Sequence, residues 1–382
     1  MGHLIAQFHV PNAAAIDGVF AIYHQALDYS IEHFPLGRLS QSVLREINGS
    51  GQMAATTGKD WNERWRKVMA NILFDPDLSD YERRSRLYAG DILVYSPSPE
   101  TASLIKLARD LLEAVFAPRD PRIVHETTTP EQLAAALAKL KPEFVHHQVC
   151  KQLIAAILRR MGCDPDQVYF DVPRLRSAYP KGHLNSGIAY AFHVHRDTWY
   201  SAPMCQINWW LPVYPLAREN CLAFYPQYFD RPITNSSEMH NHYKWNAEGR
   251  TTAAQHVRGD SRQQPKPQEA VQGPDIRLIP PPGSLILFSG AQLHATVENT
   301  SGVARYSVDF RTVHLGDAAQ RNGALNVDSR CTGTTLRDYL RGSDLTHIPD
   351  DVVRLYDDGT ETAQDAVLYF TGVSSPTHFE GR

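Results

Sequence analysis

Two histidines and an aspartate alternate along one short segment of this 382-residue chain, AFHVHRDTWY at residues 191–200. The three residues are His193, His195 and Asp197. In an extended segment, side chains two apart point the same way, so His195 and Asp197 would face one metal ion. An imidazole and a carboxylate together suit iron(II), manganese or zinc. The pattern His-x-Asp is not diagnostic by itself, because the chain has 17 histidines.

A second segment supplies the groups that such a metal site still lacks. Residues 281–312, PPGSLILFSGAQLHATVENTSGVARYSVDFRT, are predicted to form a strand, a turn that carries His294, and another strand. Arg305 and Ser307 share a face of that strand, and a guanidinium beside a hydroxyl can clamp a carboxylate. Arg311 lies on the same face of the strand as Arg305 and is an alternative clamp for the carboxylate. An anionic co-substrate could therefore chelate the metal at one end and be anchored at the other.

The elements that must position these residues change in character near residue 166. Three earlier stretches show helical spacing or caps: PETASLIKLARDLLEAVF, TTTPEQLAAALAKL with a Thr129/Gln132 capping box, and VHHQVCKQLIAAILRRMG, which ends at Gly162. Later runs are short, aromatic and β-branched: QVYFDVPRLRS, CQINWWLPVY, CLAFYP, SLILFS and RYSVDFRTV. Many short strands without regularly interleaved helices indicate an antiparallel sandwich or barrel.

We therefore predict an α+β protein with a mainly β core and flanking helices, the core being a double-stranded β-helix of the jelly-roll or cupin-like type. Residues 1–165 form a mostly helical region packed on this barrel, 166–315 the core, and 316–382 a C-terminal extension. A polar insertion at 227–273 is interpreted as a lid that sets substrate choice. It contains His240 and His242, which have metal-ligand spacing but no carboxylate partner, so we exclude them as metal ligands.

The composition argues against several classes of function. A net charge of −4 gives no basic surface for nucleic acid or an anionic membrane. No apolar run approaches the length of a membrane span, and the N-terminus lacks the pattern of a signal peptide. The five cysteines are widely spaced, which indicates reduced thiols. We expect a cytoplasmic protein with a small-molecule substrate and without nucleic-acid or membrane partners; the oligomeric state stays open.

The order of these motifs resembles that of the iron(II)/2-oxoglutarate-dependent dioxygenases, and among them the phytanoyl-CoA dioxygenase-like group. In that group a tryptophan-bearing strand follows the His-x-Asp and leads to an Asn-Gly-Cys-Leu-like turn and a Phe-x-Pro segment. Here NWWLPVYPLARENCLAFYP has the same order, with Trp210, then Asn220-Cys221-Leu222, then Phe224 and Pro226. The resemblance covers roughly residues 166–315. The rest of the chain shows no such likeness.

The resemblance implies a non-haem oxidoreductase in which Fe(II) is bound by His195, Asp197 and His294. Dioxygen and 2-oxoglutarate would be co-substrates, with 2-oxoglutarate converted to succinate and CO2 while a small molecule is oxidised. Hydroxylation is the expected outcome, and desaturation, ring closure or epimerisation are alternatives. Three departures leave the ligand positions intact: Arg196 inside the His-x-Asp, the insertion, and Glu219-Asn220-Cys221 where a glycine is often found.

A second set of residues would bind 2-oxoglutarate. The resemblance implies that Arg305 holds its C5 carboxylate, helped by Ser307 or Thr296. The further cofactor-binding candidates are Gln206 and Trp210, although Trp210 also fits core packing. Polar groups on this strand face would point into a barrel, where they need partners. The candidate substrate contacts are His193, Asn208, Arg174 and Arg176.

Two other functions remain open from the sequence. A cupin-like isomerase or a 2-oxoglutarate-independent dioxygenase would use His193, His195 and His294 as its metal ligands. The clamp of Arg305 and Ser307 speaks against it, because such an enzyme needs no dicarboxylate co-substrate. A degenerate barrel acting as a binding module would need neither the metal ligands nor the clamp.

Overall fold

The computed structural model describes residues 4–7, 71–184, 193–246 and 264–357. The helices in these ranges are α1 (Asp80–Tyr88), α2 (Pro99–Phe116), α3 (Pro130–His146), α4 (Gln148–Arg160), α5 (His242–Lys244), α6 (Leu315–Gln320) and α7 (Asp350–Arg354). The strands are β1 (Leu4–Gln7), β2 (Ile72–Phe74), β3 (Ile92–Tyr95), β4 (Val168–Phe170), β5 (Arg174–Ala178), β6 (Ile207–Pro212), β7 (Leu222–Phe224), β8 (Ile276–Ile279), β9 (Leu285–Ser289), β10 (His294–Thr296), β11 (Arg305–His314) and β12 (Leu340–Arg341).

The three helices that the sequence predicts before residue 166 are confirmed. The Gln132 amide N–H donates to Thr129 Oγ1 at the start of α3, and the Gln132 side chain accepts from the Thr129 amide N–H, which is a reciprocal capping box. Helix α4 ends at Arg160, and Gly162 follows with a φ of 73°, which favours glycine. Across the described ranges, no helix has both the length and the apolar character needed to span a membrane.

The strands form two sheets. The smaller has the order β1-β8-β7-β10, and the larger runs β12-β4-β11-β6-β9-β3-β2, with β5 also paired to β11. Strand β11 is antiparallel to β6, where Asp309 pairs with Trp210 and Arg311 with Asn208. It is also antiparallel to β5, where Ser307 pairs with Arg176. The predicted mainly β core with flanking helices is thus observed, whereas a closed barrel is not found among the described strands.

Alternation along the strands separates two faces of the larger sheet. Trp209 faces helices α2–α4 and belongs to the largest apolar core, together with Tyr306 and Phe310 of β11. Trp210 faces the smaller sheet and packs in a second core with residues of β7, β8 and β9. The intervening residues of β11, among them Arg305, therefore lie on the side away from the helices. The five cysteines are free thiols, as their spacing predicts.

The larger sheet takes strands from outside the predicted core. Strands β2 and β3, from the region predicted as mostly helical, extend it next to β9. They are only 3 and 4 residues long, too short for a period-2 pattern to stand out. Strand β12 extends the opposite edge, and residues of α7 join a third core with Tyr169 and Val313. The domain boundaries at 166 and 315 stay a prediction.

The insertion at 227–273 is tied to the C-terminal extension, and its two described ends are tied to each other. Asn235 Nδ2 donates to the carbonyl of Asp328, and Gln268 N–H donates to the carbonyl of Thr234, so the two ends also bond to each other. The middle of the insertion lies outside the described residues. The described ends contain α5 and five residues of the cavity described below: His240, His242, Trp245, Asn246 and Gln264.

Candidate metal centre

His195, Asp197 and His294 meet where β10 joins the segment that carries the His-x-Asp. His195 and His294 form an isolated antiparallel bridge, with both backbone N–H···O bonds present at 2.9 and 3.0 Å. Asp197 opens a 3-10 helix rather than continuing a strand, but Arg196 is extended and keeps Asp197 on the side of His195. One ligand atom from each residue lies within 4.8 Å of the others, and all three residues are buried. Within the described ranges this is the group of metal-ligating side chains that could hold an ion.

Backbone carbonyls orient both imidazoles. His195 Nδ1 lies 2.7 Å from the carbonyl oxygen of His193, and His294 Nδ1 lies 2.9 Å from that of Gln292. Because a carbonyl can only accept, each Nδ1 carries a proton, and the lone pair of the neutral imidazole is then on Nε2. Both Nε2 atoms face Asp197 Oδ1, at 3.3 Å from His195 and 3.9 Å from His294. Three donors thus converge on one point.

The electrostatics also favour the ligand forms of these groups. Burial, with His195 alongside, lowers the pKa of His294 to about 4, so its imidazole is neutral near neutral pH. Burial alone would raise the pKa of Asp197, but Arg311 and the two histidines outweigh it and hold that pKa well below its usual value. A metal needs a neutral imidazole and an ionised carboxylate, and both are present without any proton loss.

The second carboxylate oxygen of Asp197, Oδ2, is hydrogen-bonded to two side chains on the side away from the two histidines. Oδ2 accepts from Gln206 Nε2 at 2.9 Å and from Arg311 Nε at 3.3 Å. Gln206 is completely engaged, because its amide also donates to Asn208 Oδ1 and accepts from the Tyr339 hydroxyl. Gln206 lines the cavity, and its predicted contact with the co-substrate stays a prediction; the role visible in the structure is that its amide positions the carboxylate. Such partners of a ligand fix its orientation and basicity.

Replacing Gln206 by leucine is expected to weaken metal binding about 10- to 100-fold, the usual cost of losing a partner behind a ligand. The carboxylate would keep Arg311 but lose its shortest hydrogen bond. Titration of metal-free protein with Fe(II) under argon measures the change. Tyr339→Phe is the matched control, since it removes only the bond to the amide oxygen and should have a smaller effect. An unchanged affinity in Gln206→Leu would contradict this role.

Arg311 does not offer the alternative clamp. Its guanidinium lies 3.1 Å from Asp171 and 3.3 Å from Asp197, and both carboxylates are buried. These partners raise the pKa of Arg311 despite burial, which by itself would lower it. Arg311 is thus committed to the metal-facing carboxylate.

Arg305, in contrast, is a buried cation without an acidic partner in the described part of the chain. Its contacts are the carbonyl of Cys221 and the hydroxyl of Thr296, both at 3.5 Å, and the face of Trp210 at 5.7 Å. Its Nε has no hydrogen-bond partner, and neither has the hydroxyl of the completely buried Ser307. Burial lowers the pKa of Arg305 to about 10, so it remains charged near neutral pH. An unpaired buried guanidinium is costly unless an anion meets it.

The metal group and Arg305 line the same cavity, of about 340 Å³. Thr296, Trp210 and Asn208 also line it, whereas Ser307 does not. Trp210 therefore both packs in the core and faces the cavity.

The remaining candidate substrate contacts divide into two groups. Arg174 and Arg176 line the cavity, but Asp171 and Asp309 pair with them at 2.6 and 2.8 Å. His193 is exposed and does not line the cavity, and its substrate contact stays a prediction. Its role visible here is that of its carbonyl, which holds the His195 ring. The alternative ligand set that includes His193 is accordingly not assembled.

Several cavity residues were not found from the sequence. Asp309 shares the strand parity of Arg305 and could have been found by alternation along β11. Others come from segments without a periodic signal, either in the insertion or in the C-terminal extension: His240, His242, Thr335 and Asp338. Lys141, which burial gives a pKa of about 7, lies on helix α3, far in sequence from every motif.

His240 gives the structure a pH dependence with a definite sign. Burial, and then His242, lowers its pKa to about 3. Below about pH 6.5 the unfolded chain binds a proton that the folded chain excludes, so stability is complete above that pH and falls as the pH decreases. Between pH 7 and about pH 5, the wild type is expected to lose about 2 kcal/mol more of its free energy of unfolding than His240→Gln does. Urea unfolding of metal-free protein tests this; an equal loss in both proteins would contradict it.

Arg196, the departure inside the His-x-Asp, points away from the metal group. Its guanidinium is completely buried and donates to Asp328 at 3.1 Å. It also donates to the carbonyls of Ala291, Tyr228 and Arg231, at 2.5 to 2.9 Å. Asp328 accepts in addition from Trp199 Nε1. The segment that carries the His-x-Asp is thus hydrogen-bonded to the insertion and to the C-terminal extension.

No protein-family model matches this chain, and no curated protein does. Solved structures are similar to it at low identity. EvdO2 from Micromonospora carbonacea var. aurantiaca is 12% identical, with a TM-score of 0.34 over 69% of this chain and 93% of its own. EctD from S. alaskensis, solved with 2-oxoglutarate and 5-hydroxyectoine, is 15% identical, with a TM-score of 0.31 over 63% and 78%.

A third similar structure is SnoN, a non-heme alpha ketoglutarate dependent epimerase from nogalamycin biosynthesis. It is 14% identical to this chain, with a TM-score of 0.32 over 62% of this chain and 84% of its own. Because all three TM-scores lie below 0.5, these similarities assign no activity to this chain.

Proposed function

We propose that this protein is a non-haem iron(II)/2-oxoglutarate-dependent oxygenase. It oxidises a small molecule, with hydroxylation as the proposed outcome, while 2-oxoglutarate is converted to succinate and CO2. One observation carries the proposal: a single cavity contains a buried His-Asp-His group and a buried arginine without an acidic partner in the described chain. The two facing sheets are proposed to be the halves of a double-stranded β-helix.

The donor set fits Fe(II). Two imidazole nitrogens and one carboxylate on one side of an ion leave positions free for other ligands, which is the pattern of non-haem iron oxygenases. His195, Asp197 and His294 would hold the ion. When bound, iron supplies the oxidising chemistry together with 2-oxoglutarate and dioxygen. The protein's part is to hold the ligands in their metal-binding protonation states and to keep the carboxylate in place from behind.

Arg305 fits the second carboxylate of 2-oxoglutarate. The co-substrate has a carboxylate at each end, and a metal at the His-Asp-His group would engage only one of them. The other needs a buried cation, and Arg305 is held against Trp210 with its Nε unpaired. Thr296 lies beside the guanidinium and completes the polar end of the site. The planar guanidinium offers two parallel N–H groups to a carboxylate.

Binding under argon tests the proposal without a known substrate. Metal-free protein is titrated with Fe(II) and then with 2-oxoglutarate, and the visible absorption of the complex is recorded. We expect a new absorption band only when both are present, and slow succinate formation after air is admitted. Glutarate, which has both carboxylates but no keto group, is the matched control and should give no band. Fe(II) binding that is equally tight in Asp197→Ala would refute the proposal.

A further inference from the structure

A second wall of the cavity is built from the insertion and the C-terminal extension. Backbone bonds join the two segments: Thr332 N–H donates to the carbonyl of His240, and His242 N–H donates to that of Thr332. His240, Thr335 and Asp338 all line the cavity. We name these three residues the polar wall.

The polar wall carries buried atoms without hydrogen-bond partners. These atoms are His240 Nε2, Thr335 Oγ1 and Asp338 Oδ1. His240 and Asp338 are buried, only 5% and 6% exposed. The other oxygen of Asp338 lies 3.1 Å from His242 Nε2, which fixes the carboxylate. Buried polar atoms are nearly always paired, and an unpaired carboxylate oxygen is among the most costly.

The polar wall lies close to the metal group. The ring of Tyr200 is 5.5 Å from that of His195 on one side and 5.3 Å from that of His240 on the other. Trp245 approaches His240 from the same cavity at 6.2 Å. A molecule held by the polar wall would therefore lie beside the oxidising centre.

We infer that the polar wall binds the substrate through a hydrogen-bond donor, either a hydroxyl or a protonated amine, that is presented to Asp338. A carboxylate can only accept, and Thr335 and a neutral imidazole nitrogen can accept as well. An anion is disfavoured at the polar wall, because the Asp338 carboxylate would repel it. An anionic group in this cavity would bind at Arg305 instead. The inference rests on the proposed function for the reaction that follows binding, but the binding itself is independent of it.

The test uses three probes of equal chain length with the full-length protein. Pentane-1,5-diol and pentane-1,5-diamine carry donors, whereas 1,5-dimethoxypentane has oxygens that only accept. Saturation-transfer NMR measures their binding to metal-free protein and to protein with Fe(II) and 2-oxoglutarate under argon. We expect the wild type to bind the diol or the diamine and not the dimethoxy compound. Binding of all three alike, or of none, would overturn the inference.

Variants then locate the contact. Asp338→Ala should weaken binding of the donor probe about 10-fold or more, and Thr335→Val more modestly. Asp338→Asn separates the two donors: it should keep a hydroxyl probe and lose an amine probe, because the shape stays and the charge goes. Glu238→Gln, whose exposed side chain pairs with Arg330, is the matched control and should bind normally.

Melting temperatures and Fe(II) affinities of the variants separate loss of the contact from loss of the fold. If Asp338→Ala unfolds, Asp338→Asn decides for the amine probe and Thr335→Val decides for the hydroxyl probe. Unchanged affinity of the amine probe in Asp338→Asn, or of the hydroxyl probe in Thr335→Val, would overturn the inference. If the protein binds the probe but fails to bind Fe(II) and 2-oxoglutarate, the proposed function is refuted. The inference that the polar wall is a binding site would then still hold.

Discussion

Replacing His294 by alanine is expected to abolish stoichiometric Fe(II) binding and all metal-dependent turnover. The three ligand atoms lie within 4.8 Å of one another, and the structure brings no other His, Cys, Asp or Glu into that group among its described residues. Two remaining donors could not hold the ion against water. Anaerobic titration with Fe(II), followed by a succinate assay in air, measures both losses.

His193→Ala is the matched control for this experiment. It removes an exposed imidazole of the same segment and leaves the backbone carbonyl that orients His195. We expect normal metal binding. Full activity in His294→Ala would end the ligand assignment, and loss of activity in His193→Ala with retention in His195→Ala would move the ligand to His193.

Replacing Arg305 by alanine is expected to raise the dissociation constant of 2-oxoglutarate by a factor on the order of 10 to 1,000, from about 1.5–4 kcal/mol of lost contact and stranded carboxylate. Fe(II) affinity should change little, because Arg305 contacts none of the three ligands. Lysine should restore only part of the affinity, since a point charge cannot reproduce the planar guanidinium. Calorimetric titration of the Fe(II)-loaded protein under argon provides the measurement.

Arg311 makes this prediction discriminating. It lies on the same strand parity but pairs with Asp171 and Asp197. Arg311→Ala should therefore impair Fe(II) binding first and 2-oxoglutarate binding only as a result. If Arg311→Ala weakened 2-oxoglutarate binding with normal Fe(II) affinity while Arg305→Ala did not, the anchor would be Arg311.

Local spacing was sufficient to predict the parts of the site that lie on one segment each. The shared side of His195 and Asp197 and the shared face of Arg305 and Arg311 follow from strand geometry, in which every second side chain points the same way. The helix starts follow from caps, which are equally local. Even so, Asp197 opens a 3-10 helix, and its side keeps to that of His195 only because Arg196 is extended.

What the sequence did not reveal depends on contacts between distant segments. Gln206 was assigned to the co-substrate because its strand parity is right, but its amide is occupied by Asp197, 9 residues away, and by Tyr339, 133 residues away. The same holds for Asp338, which reaches the cavity from beyond the predicted core. No periodicity encodes such pairings, since each is fixed by the packing of the chain.

The buried guanidinium of Arg196 ties the candidate metal centre to the C-terminal extension. Its only carboxylate partner among the described residues is Asp328, beyond the stretch that resembles a known family. A fragment trimmed to residues 166–315 would keep the carbonyl acceptors of Arg196 but lose this buried ion pair, next to two candidate metal ligands, at a cost of about 3–5 kcal/mol. Transplanting the His-x-Asp motif into another scaffold would meet the same obstacle, because Arg196 inside the motif needs Asp328 of the C-terminal extension as its partner.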